Sequence, residues 1–182
     1  MGEISYHLHA ISKTWQVFII LLSYKNEFFL SIKIHPASEK IEDYQNIVNK
    51  TEPSVKVYQK GDILDYLKDA DVVLSFMYDT AMTFTLLTRK PIIMCNFNNH
   101  VKNDLLLKRN LVMECKQPSQ LVELIRDVLK ENPATEEKLS KYIEDILFKY
   151  DGKAAERITN LIFDLMNGKQ TNDSQSSIRY PK

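Results

Sequence analysis

Glycine is scarce in this chain, with four in 182 residues. A glycine-rich phosphate loop is therefore excluded, because such a loop needs backbone N–H groups brought close to the anion with no side chain in the way. After the first apolar segment, Ser12, Lys13 and Thr14 are the only polar substitute. Cysteine is scarcer still. Cys95 and Cys115, in a chain where no secretory signal peptide is expected, fit a reducing cytoplasm better than a disulfide scaffold, and both are expected as packing thiols. No charge of one sign prevails: Lys+Arg and Asp+Glu are both 24, so there is no global field to draw nucleic acid or an anionic bilayer. Long hydrophobic runs are missing too. The stretch Trp15 to Leu22 falls far short of the roughly 20 residues that span a bilayer, so no transmembrane segment is expected, which is compatible with a peripheral membrane contact.

What is present is alternation. With 44% hydrophobic content the chain has enough apolar residues for one core, and it is read as a single domain over residues 1–167 followed by a disordered polar tail, 168–182. Short apolar runs alternate with stretches of 3.6-residue period, which predicts a Rossmann-like doubly wound α/β domain: a parallel sheet of five or six strands with helices on both faces. The expected strands are residues 4–11, Phe28–Ile34, the neighbourhood of Val55 and Val57, Asp71–Ser75, Pro91–Cys95 and Leu111–Glu114. Between them the pattern predicts a buried helix over Trp15–Tyr24, a short helix over Ile41–Lys50, and another carrying Ile63, Leu64 and Leu67 with Asp62 as N-cap. A helix over Thr80–Thr88 supplies the crossover before Pro91. Beyond Ser119, the spacing of Leu121, Leu124, Ile125, Val128 and Leu129 defines an apolar helix face. Two more helices start near Thr135, with Leu139, Tyr142, Ile143, Ile146 and Leu147 inward, and near Lys153, with Ile158, Leu161, Ile162 and Leu165; Gly152 separates them.

Ligands of open α/β sheets sit outside the carboxyl ends of the strands. His35 and Pro36 fall there, as do Ser75 and the turn Tyr78-Asp79-Thr80, and Asn96, Asn98, Asn99 and His100 follow the Pro91 strand. The competing readings are a loop histidine before a helix for His35, a helix N-cap for Asp79, and turn-tolerant asparagines for the rest. His7 and His9 lack neighbours with ligand spacing, so no metal site is expected. Asp69 and Asp71 read as a solvated turn. Glu156 and Arg157 read as a solvated helix face rather than a catalytic pair.

Four segments in order, Ile32-Lys-Ile-His-Pro36, Asp62 to Ser75, Asp79 to Ile93, and Asp151-Gly-Lys-Ala-Ala-Glu-Arg-Ile158, resemble the C-terminal nucleotide-sugar-binding domain of GT-B-fold glycosyltransferases. The nearest groups are the UDP-N-acetylglucosamine 2-epimerase-like, CDP-glycerol glycerophosphotransferase-like and surface-polysaccharide transferases. The resemblance implies that His35, Pro36, Ser75, Tyr78, Asp79 and Thr80 face the nucleotide phosphates, and it makes Asn96 and Asn98 candidates for a sugar or base pocket. Physical chemistry supports this: the start of a helix offers free N–H groups and a positive dipole end, and an imidazole donates to a phosphate oxygen or takes up a proton beside it.

The departures are specific. A serine usually stands where Asp79 is, an acidic residue where Phe84 is, and a glycine where Arg89 precedes Lys90-Pro91. A carboxylate beside a phosphate is repulsive unless a basic group intervenes. The expectation is a cytoplasmic donor-binding half of a GT-B transferase or sugar-nucleotide epimerase-like protein, serving cell-surface polysaccharide biosynthesis. It needs no resident cofactor, because the nucleotide-diphosphate sugar is substrate. In the resembled enzymes the acceptor site comes from an N-terminal domain that a chain of this length has no room for. The chain is then either an excised fragment or one subunit of a split transferase, as in the two-chain eukaryotic N-acetylglucosamine transferase, and its expected partner is that N-terminal half or a second copy meeting the apolar closing helix. The alternative is a non-catalytic scaffold or interaction module that kept the fold and lost the site.

Overall fold

A computed structural model describes residues 17–35, 37, 40–76, 80–97, 99, 104–147, 149 and 151–168. The chain divides into two compact units, Met1–Ala134 and Thr135–Lys182. The expected strand at residues 4–11 and the expected disordered tail lie outside the described residues, apart from Gly168, which ends a helix.

In the first unit the described strands are β1 (Ser31–Lys33), β2 (Lys56–Tyr58), β3 (Val73–Ser75), β4 (Ile92–Cys95) and β5 (Met113–Cys115). All pairings are parallel and form two small sheets, β1-β2 and β3-β4-β5. The helices between them make this a mixed α/β architecture: residues 17–23 (α1), Ile41–Thr51 (α2), Ile63–Lys68 (α3), Thr80–Leu87 (α4) and Leu105–Lys108 (α5), then a 3-10 turn Pro118–Gln120 leading into α6 (Leu121–Lys130). Parallel strands joined by crossover helices are what alternating apolar runs and helical periods build, because two parallel neighbours cannot be linked by a tight hairpin. α5 was not expected. Its signal is Asp104, whose carboxylate accepts from the N–H groups of Leu106 and Leu107 at 2.8 and 3.2 Å. Asp62 caps α3 as its position foretold, accepting from Leu64 N–H at 2.9 Å.

The core lies around β4, whose four residues are all buried. Ile93 and Cys95 pack with Cys115, with Val17 and Leu21 of α1, and with Leu121, Ile125 and Val128 of α6. A smaller cluster joins Phe18, Val48 and Val55 under β1 and β2, with Leu30 packing against both clusters.

Several sequence expectations are corrected here. The segment Phe28–Ile34 is not a continuous buried strand, since only three residues pair and Phe29 is fully exposed; β1 has only one neighbour among the described strands and two of its three residues half-buried. The helix beginning near Trp15 is not buried all round, because Ile19 is 60% exposed opposite Val17, Phe18 and Leu21. β5 starts at Met113 rather than Leu111; Leu111 and Val112 are buried in the bend before it. On α6 the buried face takes in Val122 and leaves Leu129 exposed, since burial follows where the sheet lies rather than the helical period alone.

The second unit contains α7 (Glu136–Tyr142), a π-helical continuation Ile143–Leu147, and α8 (Ala154–Met166). Leu139 and Tyr142 are buried as expected, whereas Ile146 is exposed. On α8 the expected inward residues Ile158, Leu161, Ile162 and Leu165 are all exposed.

The Asp-Gly-Lys-Ala-Ala-Glu-Arg segment has a local structural cause. Asp151 accepts from Lys153 N–H at 3.0 Å, and both its oxygens lie 2.8 Å from Arg157 Nη1, while Gly152 takes the positive φ of 72° that the turn requires. Arg157 is therefore half-buried against a carboxylate rather than one of a solvated pair, and Glu156 is exposed. The hydrogen bond from Arg157, then that from Lys153 N–H, holds the Asp151 carboxyl below the usual carboxylate range. A depressed folded-state value contributes stability that is present above the ordinary carboxylate value and is lost as pH falls from there through the lower folded-state value. Arg157→Ala is expected to raise the Asp151 titration midpoint toward the ordinary 3.8 and to shrink this acid-dependent loss, as read by carboxyl NMR. An unchanged midpoint would dismiss the pair as an organiser of the turn.

Candidate functional site

Of the described candidate residues, His35, Ser75 and Asn96 stand at or just beyond the carboxyl ends of strands. β1 ends at Lys33 and is followed by buried Ile34 and exposed His35. Ile34 N–H donates to Tyr58 O at 2.9 Å, which continues the β1-β2 ladder up to the residue before the imidazole. His35 Nδ1 accepts from Ala37 N–H at 3.2 Å, which places the proton of the neutral ring on Nε2. Lys33 reaches the same edge. Its ammonium donates to Ile34 O at 2.9 Å and Gln59 O at 2.8 Å, the carbonyls at the ends of β1 and β2, and meets no carboxylate among the described residues.

In the other sheet Ser75 is the last residue of β3, half-buried, in register with Met94. Asn96 stands immediately after β4. The sheet thus brings Ser75 and Asn96 to neighbouring strand ends, while His35 belongs to the end of β1. Asn96 is only 5% exposed: its backbone N–H donates to Cys115 O at 2.9 Å and its side-chain amide donates to Glu114 Oε1 at 2.7 Å. Glu114 also faces Lys116 at 3.3 Å. Asn96, a candidate for lining a sugar or base pocket, braces β4 against β5 through a charge-assisted bond. Pro36, Tyr78, Asp79, Asn98 and His100 lie outside the described residues. Thr80 is the first residue of α4, and Asn99 is exposed with a φ of 51°, in keeping with its turn reading.

Sequence reasoning passed over two aromatics. Phe76 and Phe97 follow Ser75 and Asn96, so at both strand ends a polar residue precedes a phenylalanine, and their rings meet edge to face with centroids 6.1 Å apart. It also missed a groove of about 470 Å³ lined by Ile19 and Ile20 of α1 and by Gln117, Pro118 and Ser119 beyond β5. No sequence signal announces it, because the lining comes from segments a hundred residues apart.

Two departures from the resembled pattern now have a physical setting. Phe84 is 37% exposed on α4, where a carboxylate would have faced solvent equally well. Arg89 ends α4 at φ 60°, the left-handed region, with its N–H bonded to Leu86 O at 2.9 Å and its carbonyl accepting from Asn132 Nδ2 at 3.0 Å. A glycine is usual at such a helix end because a Cβ there is strained. Arg89→Gly is expected to raise unfolding stability by about 0.5–1 kcal/mol, read by denaturant melts; a loss would show that the arginine side chain outweighs its backbone strain. Asn96→Ala is expected to cost about 1–3 kcal/mol, because it removes a buried donor from Glu114, and a neutral result in the same melts would show that this bond does not brace the two strands. Comparison with protein-family models, with curated proteins and with solved structures finds no match to this chain.

Proposed function

We propose that the chain is the donor-binding half of a GT-B-type glycosyltransferase or sugar-nucleotide epimerase-like protein, and that it holds a nucleoside diphosphate at the carboxyl ends of its strands. The observation that carries this reading is the pairing of Lys33 and His35 at one strand end. Lys33 brings an ammonium to that end, where it donates to two strand-end carbonyls, and His35 brings an imidazole whose Nδ1 accepts from Ala37 N–H, two side chains of the kind that donate to a phosphate. The N-terminus of α4 adds a positive dipole end. Phe76 and Phe97 offer apolar ring surface to a base or a sugar. The parallel pairings of β1 with β2 and of β3 with β4 and β5 are compatible with a doubly wound order, in which nucleotides bind at the carboxyl edge. Transfer itself would need an acceptor-binding partner half, and a cytoplasmic setting for surface-polysaccharide synthesis belongs to the same proposal.

The scaffold reading draws on Phe84, an apolar side chain at the position where the resembled enzymes carry the carboxylate for a sugar hydroxyl. Ligand-dependent melting separates the two. With UDP, CDP, GDP and their sugars in turn, the donor-binding reading expects selective stabilisation by one nucleotide series, about 2.7 kcal/mol at a hundredfold excess over Kd. Lys33→Ala and His35→Ala should each weaken that binding by roughly 1.5–3 kcal/mol, the worth of a hydrogen bond to a charged group. No shift with any diphosphate would favour the scaffold, and equal binding by both variants would move the pocket elsewhere.

A further inference from the structure

Cys95 and Cys115 are the last residues of β4 and β5 and are direct register partners in a parallel pair. Opposed residues of parallel neighbours point to the same face, and strands about 4.8 Å apart bring the two Cα atoms within the roughly 4.4–6.8 Å that a disulfide spans. Cys115 Sγ lies 3.1 Å from Gln117 O, to which it donates, and each thiol is close enough to the other to shift its ionisation. They are also the whole thiol content of the chain. Both are buried, yet β5 is a three-residue outer strand among the described residues, and the residues after it, Lys116 and Gln117, are exposed. Oxidation of Cys115 in the folded chain requires this strand end to open locally, an event short of global unfolding.

We infer that Cys95 and Cys115 are a modification site, a dithiol that a hydroperoxide oxidises to an intramolecular disulfide in the folded chain. The Cys95 thiol is pushed up by the hydrogen bond it makes to Cys115 and by burial, while that same bond holds Cys115 below the usual thiol range, which makes Cys115 the attacking sulfur. Its thiolate displaces hydroxide from the peroxide: an S–O bond forms, the O–O bond breaks, and the proton lost by Cys115 converts the hydroxide to water. Cys95 sulfur then attacks the sulfenic sulfur, the S–S bond forms, the S–O bond breaks, and the Cys95 proton leaves with the oxygen as a second water. Two electrons have passed from the sulfurs to the peroxide. The disulfide closes β4 onto β5 directly beneath Asn96, and it removes the thiol donor from the Gln117 carbonyl at the wall of the Ile19–Ser119 groove.

The test treats the native full chain with hydrogen peroxide, quenches with catalase, alkylates under denaturing conditions and weighs the intact protein. The expected product is a monomer lighter by two hydrogen atoms, closed to alkylation until dithiothreitol restores two reactive thiols. Cys95→Ala should instead accumulate a sulfenic acid at Cys115 that dimedone traps, and Cys115→Ala should react much more slowly. Three results would each overturn the inference: both thiols still alkylatable with no mass loss, sulfinic acid or interchain dimers as the main product, or oxidation that begins only at denaturant concentrations that unfold the chain.

Discussion

The burial of one strand on both faces is the constraint on which the described sheet depends. Ile92, Ile93, Met94 and Cys95 are each at most 3% exposed, flanked by β3 and β5 on either edge. Fully burying a side chain of this size contributes about 1.5–3 kcal/mol relative to leaving it in water, so this strand anchors its neighbours rather than being held by them. Ile93 and Cys95 on one face meet α1 and α6. Because β4 has no polar face, its register is tied to the packing of helices, and the polar residue that follows it has only the sheet edge to go to.

That edge is where chemistry concentrates. Asn96 spends its amide on Glu114 and its N–H on Cys115, so the end of β4 is locked to the end of β5, while Lys33 and His35 stand at the end of β1. The division is physical. A buried amide beside a carboxylate must be satisfied internally, whereas His35 is exposed and Lys33 is half-buried, donating to two strand-end carbonyls.

Other features of the chain serve geometry. Arg89 in a left-handed helix end, Gly152 in the turn before α8 and the Asp151–Arg157 pair all set where a helix stops or begins. The Asp-Gly-Lys turn is held by one Arg157 nitrogen against both Asp151 oxygens and by Gly152 at a positive φ, and Glu156 beside Arg157 is exposed.

The amino-acid sequence by itself determined what depends on neighbours along the chain: the helices α2, α3, α4 and α6, the Asp62 cap, the strand ending at Cys95, and the polar residues at strand ends. Periodicity and capping are local, so a window of about a dozen residues carries them. Tertiary structure alone decided that Val122 is covered and Leu129 is not, that Ile158, Leu161, Ile162 and Leu165 are exposed, that Asn96 meets Glu114, and that Cys95 faces Cys115. Each of those outcomes depends on which surface another segment presents, and a periodic pattern names a face without naming what will lie against it.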